Sequence, residues 1–187
     1  PSNLGDFASG PADILRTAGL KPGEAEVMIG GPPCQPFSKS GYWSSGDAAR
    51  LKDPRANTLG AYLRVLGEAR PRAFLLENVP GLGFRKKSEG LQSLLDGVKA
   101  VNAAHGTNYQ PTWAVLNAAD FGVPQMRERL VMIASRDGRP FEFPAPTHGD
   151  SSATDTPYIT TWDALGDLPE DPNETGLEMS GKWADLL

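Results

Sequence analysis

The sequence is poor in the residues that most often carry chemistry. It has one cysteine, Cys34, and two histidines, His105 and His148. A single cysteine excludes an internal disulfide framework and any cysteine-rich zinc site, fits a reducing compartment and permits a reactive thiol. Neither histidine sits in a supporting motif, so a cysteine hydrolase built on Cys34 is poorly furnished with a base. No metal is expected. No apolar run is long enough to span a bilayer and the N-terminus carries no signal-peptide pattern, which points to a cytoplasmic protein without a membrane partner. Internal repeats and low-complexity tracts are also missing.

What is present is ordinary in bulk and uneven in detail. A chain of 187 residues, 39% apolar and 22% charged, can build one sizeable core. Its net charge of −5 argues against nonspecific nucleic-acid binding until it is divided along the chain. Residues 34–90 hold ten Lys or Arg against five acids, whereas residues 138–187 hold two against ten. A basic middle beside an acidic tail suits a protein that presents one face to a phosphate backbone, and it equally suits scattered solvated charges.

The chain is organised around Val27-Met28-Ile29-Gly30-Gly31-Pro32-Pro33-Cys34. The short apolar run bounded by turn residues predicts a strand buried on both faces, and the two prolines stiffen the approach to the thiol. Before it, Gly10-Pro11 opens a helix that runs to about Ala18, with Gly19 placed to end it. After it, about twenty residues from Ser38 to Thr58 show no periodicity and include Lys39, Arg50, Lys52 and Arg55; loops of this length are usually functional or mobile. Helical spacing of Leu59, Tyr62, Leu63 and Leu66 predicts a core-facing helix over 58–69, and Leu91, Leu94, Leu95, Val98 and Val101 predict another to about Ala104. Strands are predicted at Ala73–Leu76, at Trp113–Asn117 and from Arg129 to Ala134, with a short helical piece near Trp162–Leu165. Extended spacing would place Arg127 and Arg129 on one face and Glu128 on the other. Gly81-Leu82-Gly83 lacks the context of a dinucleotide loop, and Arg85-Lys86-Lys87 reads as a solvated turn.

Gly30-Gly31-Pro32-Pro33-Cys34-Gln35-Pro36-Phe37-Ser38, then Glu77-Asn78-Val79, then Gln125-Met126-Arg127-Glu128-Arg129 resemble the ordered motifs of the DNA (cytosine-5)-methyltransferases. The resemblance runs from about Gly5 to Pro169 and covers the middle of the family's pattern. It implies an α/β fold, a Rossmann-like methyltransferase three-layer sandwich, here incomplete: the Phe-x-Gly-x-Gly cofactor loop near the start of the pattern and the target-recognition domain near its end are not found. Residues 1–145 then form a partial catalytic domain, and residues 146–187 an acidic connecting segment leading toward a target-recognition region. An excised or truncated core, or one half of a split enzyme, is expected.

The resemblance also assigns roles. It implies transfer of a methyl group from S-adenosylmethionine to carbon 5 of cytosine in double-stranded DNA, in a restriction-modification setting. Carbon 5 is a poor nucleophile until a thiolate adds at carbon 6, a task suited to Cys34. Glu77 would hydrogen-bond N3 if burial keeps it protonated, and Arg129 would hold the cytosine carbonyl and favour the thiolate. Arg127 would orient Glu77 or a phosphate. The target base would have to be flipped out of the duplex, with Gln35, Ser40 and Asn78 as contacts around it. Asp6, Pro33 and Leu59 match positions near the cofactor, with Asp13 a rival for Asp6. A complementary chain supplying the cofactor loop is a further expected partner. Transfer RNA as the substrate, or a noncatalytic DNA-binding fragment of the same fold, are the alternatives.

Overall fold

Local sequence decides where each element of this chain begins and ends. The computed structural model describes residues 10–33, 57–82, 89–150 and 156–167. Helix α1 spans Pro11–Ala18. Proline costs nothing at its first turn, the Gly10 amide donates to Asp13 Oδ2 at 3.1 Å, and Gly19 ends it at φ +67°. Asp13 also pairs with Arg16 at 2.6 Å, so its carboxylate is committed to the helix it opens.

Strand β1 spans Val27–Gly30, helix α2 Asn57–Ala69, strand β2 Ala73–Asn78 and helix α3 Glu89–His105. Strand β3 (Thr112–Asn117) and strand β4 (Glu128–Ser135) follow, joined by a 3₁₀ turn at Ala118–Phe121, and helix α4 closes the described chain at Thr161–Leu165. The four strands form one sheet in the order β1-β2-β4-β3. Strands β1 and β2 are parallel, and β4 runs antiparallel to both β2 and β3. Thus β1, β2 and β3 all point toward the same end of the sheet, where open α/β sheets bind their ligands.

One face of the sheet carries the core. Phe74, Leu76, Leu130 and Met132 meet Leu66 of α2 and Leu94 and Val98 of α3, all at most 1% exposed. Aromatic edges bind this layer: Phe74 packs edge-on against Tyr62 and Tyr109 at centroid distances of 6.2 and 5.4 Å. The buried Tyr109 hydroxyl donates to the Pro71 carbonyl at 2.6 Å, and the Tyr62 hydroxyl to the Leu75 carbonyl at 3.1 Å. Both apolar stripes read from the sequence therefore lie in the core, with Leu63 and Leu95 packed at its margin.

The other face is different. Register puts Val27, Ile29, Leu75, Val131 and Ile133 on it, and no described helix covers it. Val27 and Ile29 are 56% and 73% exposed, so β1 is not buried on both faces as its composition suggests. The reason is positional: among the described residues β1 is an outer strand that pairs only with β2, and α2 and α3 occupy only the opposite face. The described residues thus supply two layers of the three-layer α/β architecture. No helix among them is long and apolar enough to cross a membrane.

Candidate active site

Steric demands at the end of β1 explain its glycine pair. A Cβ on Gly30 would lie 2.7 Å from the Tyr62 ring, and one on Gly31 would lie 3.0 Å from Glu77 Oε2. Glycine lets the backbone pass both groups closely. Beyond it, the Asn78 amide donates to the Pro32 carbonyl at 3.1 Å and the Thr58 hydroxyl to the Pro33 carbonyl at 2.8 Å. Two side chains from β2 and α2 therefore clamp the loop just before Cys34. Cys34 itself, with Gln35, Ser40 and Asp6, lies outside the described residues.

Glu77 and Arg129 come together at this end of the sheet. Leu130 pairs with Asn78 and Val131 with Glu77, so Arg129, two residues before Val131, shares Glu77's face. The Arg129 Nε lies 2.7 Å from Glu77 Oε1, with side chains 28% and 43% exposed. The burial that the sequence reading invoked for Glu77 is not supplied by the described residues. Arg129 also donates to the Glu128 carbonyl at 2.7 Å, which fixes its guanidinium beside the strand.

Among the described residues Glu77 pairs with Arg129, and Arg127, expected to orient Glu77 or a phosphate, lies in the approach to β4, which begins at Glu128. The Arg127 side chain makes no hydrogen bond or ion pair among the described residues, while its backbone amide donates to Asn117 Oδ1 at 2.9 Å. Asn78 is 3% exposed, and its amide serves Pro32 while its carbonyl accepts from the Val79 amide at 2.8 Å. One amide hydrogen thus holds the loop and the carbonyl holds the backbone after β2, and the near-complete burial of the side chain suits this bracing role. Leu59, in the first turn of α2, is 8% exposed and faces the core, whereas Pro33 is exposed.

Sequence reasoning missed two positioning residues, Thr58 and Asn117. Asn117 ends β3 and accepts hydrogen bonds from both the Ala119 and Arg127 amides, drawing the chain after the turn back beside the sheet. A Ser/Thr or Asn at an element's end is a capping signal, but its long-range partner is not encoded locally. The following segment docks on the same turn: the Thr147 and His148 amides donate to the Asp120 carbonyl, and the Tyr158 hydroxyl to the Asp120 carboxylate at 3.1 Å. Among the described residues no three His, Cys, Asp or Glu side chains gather as metal ligands.

The comparisons with known proteins bear on this arrangement. A family model, C-5 cytosine-specific DNA methylase, matches residues 3–186. The Type II methyltransferase M.SacI of Streptomyces achromogenes is 40% identical over 190 residues, covering 97% of this chain and 47% of the relative. The Type II methyltransferase M.AquIA of Picosynechococcus sp. is 39% identical over 167 residues, covering 83% of this chain and 65% of the relative. The chain therefore spans about half of the first relative's length and under two thirds of the second's. Among solved structures, an E. coli protein described as a prophage-encoded DNA modification methyltransferase superposes with a TM-score of 0.53 at 26% identity, over 78% of this chain and 36% of that one. The Entamoeba histolytica methyltransferase EhMeth shares the fold, with a TM-score of 0.51 at 21% identity over 73% of this chain and 38% of its own. With nearly its whole length matched by the family model, and with Glu77 and Arg129 paired at the end of the sheet where Pro32 and Pro33 leave β1, the chain belongs to the C-5 cytosine-specific DNA methylase family.

Proposed function

We propose that this chain supplies the base-chemistry side of a DNA (cytosine-5)-methyltransferase. The observation that carries the reading is the Glu77–Arg129 pair at 2.7 Å beside the clamped loop that leads into Cys34. In this reading the Cys34 thiolate adds to carbon 6 of a flipped-out cytosine, making carbon 5 an enamine carbon. Glu77 meets the N3 edge and Arg129 the ring carbonyl, so the electron density displaced by addition is held by two groups fixed on adjacent strands. Carbon 5 takes a methyl group from the donor, loses its proton, and the C6–S bond breaks to release the thiolate. Arg129 holds Glu77 Oε1, while Oε2, on the Gly31 side, is the oxygen left for the base.

The methyl donor implied by the family is S-adenosylmethionine, consumed as a substrate. Of the three contacts expected for it, only Pro33 presents an exposed surface among the described residues; Leu59 is committed to the core. The described residues do not complete a donor site, and no step is assigned to them there. The open sheet face bearing Val27 and Ile29 supports the matching expectation that a further portion of the family's length, on the same or a complementary chain, packs against β1. Residues 146–187 are read as the acidic connection toward target recognition, anchored at its start through Asp120.

Loss of tritium from carbon 5 of cytosine tests the reading, because that exchange requires prior addition at carbon 6. With the chain joined to the flanking portions of M.SacI, release from duplex DNA is expected to vanish in Cys34→Ser and to fall at least a hundredfold in Glu77→Gln. Release from transfer RNA in preference to duplex DNA would assign the same chemistry to a different substrate. Release unaffected by Cys34→Ser would end the covalent account.

A further inference from the structure

At the end of the sheet opposite Glu77 lies a cavity of about 370 Å³. It is lined by Gly23 before β1, Arg70 after α2, His105 and Thr107 at the end of α3, and Arg136 and Asp137 after β4. Along β2 this places it roughly 20 Å from the candidate active site. Its charges do not cancel internally. Asp137, the one acid among these lining residues, is already held by Arg139 at 2.9 Å and by the Ser135 hydroxyl, leaving two guanidinium groups and an imidazole around the space.

Bracing of the turns explains part of this arrangement and leaves part over. Arg136 Nη1 donates to the Gly23 and Arg70 carbonyls, at 3.1 and 2.6 Å, tying three segments together. Its Nε–Nη2 edge makes no hydrogen bond among the described residues, and that edge is the one a bidentate oxyanion engages. The Arg70 Nε is buried with no partner among the described residues, an uncommon state for a charged donor. Arg70 also has φ +44°, the only positive φ at a described non-glycine residue. A helix C-terminus usually gives that position to glycine, and strain kept at a side chain that bracing does not use points to a ligand.

We propose that this cavity binds a phosphate group carried by a small molecule of about mononucleotide size. Arg136 offers its free edge, Arg70 the guanidinium that lines the space, and His105 its imidazole, with no competing free carboxylate among these lining residues. The volume lies near the lower end for small-molecule sites, and a duplex would not enter it. The proposal is independent of the base chemistry at the other end of the sheet.

Calorimetric titration of the full 187-residue chain with pyrophosphate, and separately with adenosine monophosphate, tests it. Saturable binding is expected, with Arg70→Gly weakening it at least tenfold while the thermal midpoint stays level or rises, because glycine relieves the left-handed backbone. Arg70→Asn, also tolerated there, should show the same loss, His105→Gln a smaller one, and Glu77→Gln none. Absence of saturable binding, or Arg70 variants that bind like the original chain, would overturn the proposal. Displacement of pyrophosphate by a short DNA duplex would overturn it too, since the phosphate would then belong to a nucleic-acid backbone.

Discussion

Asn78→Ala is the perturbation that most sharply separates a positioning role from a contact with the base. The side chain is 3% exposed, donates to Pro32 O at 3.1 Å and accepts from the Val79 amide at 2.8 Å. Alanine leaves a carbonyl and an amide without partners in a part-buried setting, and each orphaned group costs about 1–3 kcal/mol. The Pro32 carbonyl has some access to water and recovers part of its loss, so the total is about 2–3 kcal/mol. For a chain of this size that corresponds to a fall of roughly 4–12 °C in thermal midpoint. Urea unfolding followed by tryptophan fluorescence reads the change directly, with the midpoint moved and the slope kept. Activity should fall as well, because the loop that aims Cys34 loses one of its two clamps, and Thr58→Ala should reproduce the activity loss with a smaller stability cost. A change below about 0.5 kcal/mol with activity abolished would refute the positioning argument and return Asn78 to the base.

Other consequences follow from single contacts. Gly30→Ala should destabilise by about 1–3 kcal/mol, since its Cβ would meet the Tyr62 ring at 2.7 Å, and Tyr62→Leu should recover part of that loss in a double-mutant cycle. Gly122→Ala combines φ +84° with a Cβ placed 2.8 Å from the His148 ring; a loss of about 2–4 kcal/mol is expected, only partly restored by His148→Ala because the backbone strain remains. Burial pushes the Tyr109 hydroxyl up to about 12, against a partial lowering by Arg136 and Arg70. An unfolded tyrosine ionises at about 10, so this contribution is complete below that pH and is lost as pH rises toward the folded value. Alkaline titration of stability should therefore fall less steeply in Tyr109→Phe, and an unchanged slope would show that Tyr109 does not set it.

Much of the fold was legible because its signals are local. The stripes at Leu59–Leu66 and Leu91–Val101 give both core helices, and Pro11 with Gly19 frames α1 to the residue. Glu77 beside Arg129 was also readable, once strand periodicity was combined with ordered motifs. What failed depended on neighbours. Val27 and Ile29 look like a fully buried strand, yet their exposure is decided by whether anything lies beyond β1. Leu59 lies in the core as its helical phase predicts, and burial alone does not decide its motif position near the cofactor. Arg127 and Arg129 differ by whether β4 has begun, a boundary of one residue. Asn117 and Thr58 act across 10 and 25 residues of sequence, a reach that no spacing rule detects.

The central claim is that Cys34 attacks a cytosine held by Glu77 and Arg129. Mass spectrometry of the chain, completed with the M.SacI flanks, after incubation with methyl donor and duplex DNA containing 5-fluorocytosine measures it most directly, because fluorine cannot leave carbon 5 as a cation and the C6–S bond persists. The account predicts one adduct on the peptide containing Cys34, absent in Cys34→Ala and strongly reduced in Glu77→Gln and Arg129→Gln. No adduct from the completed enzyme, or an adduct that survives Cys34→Ala, would contradict it.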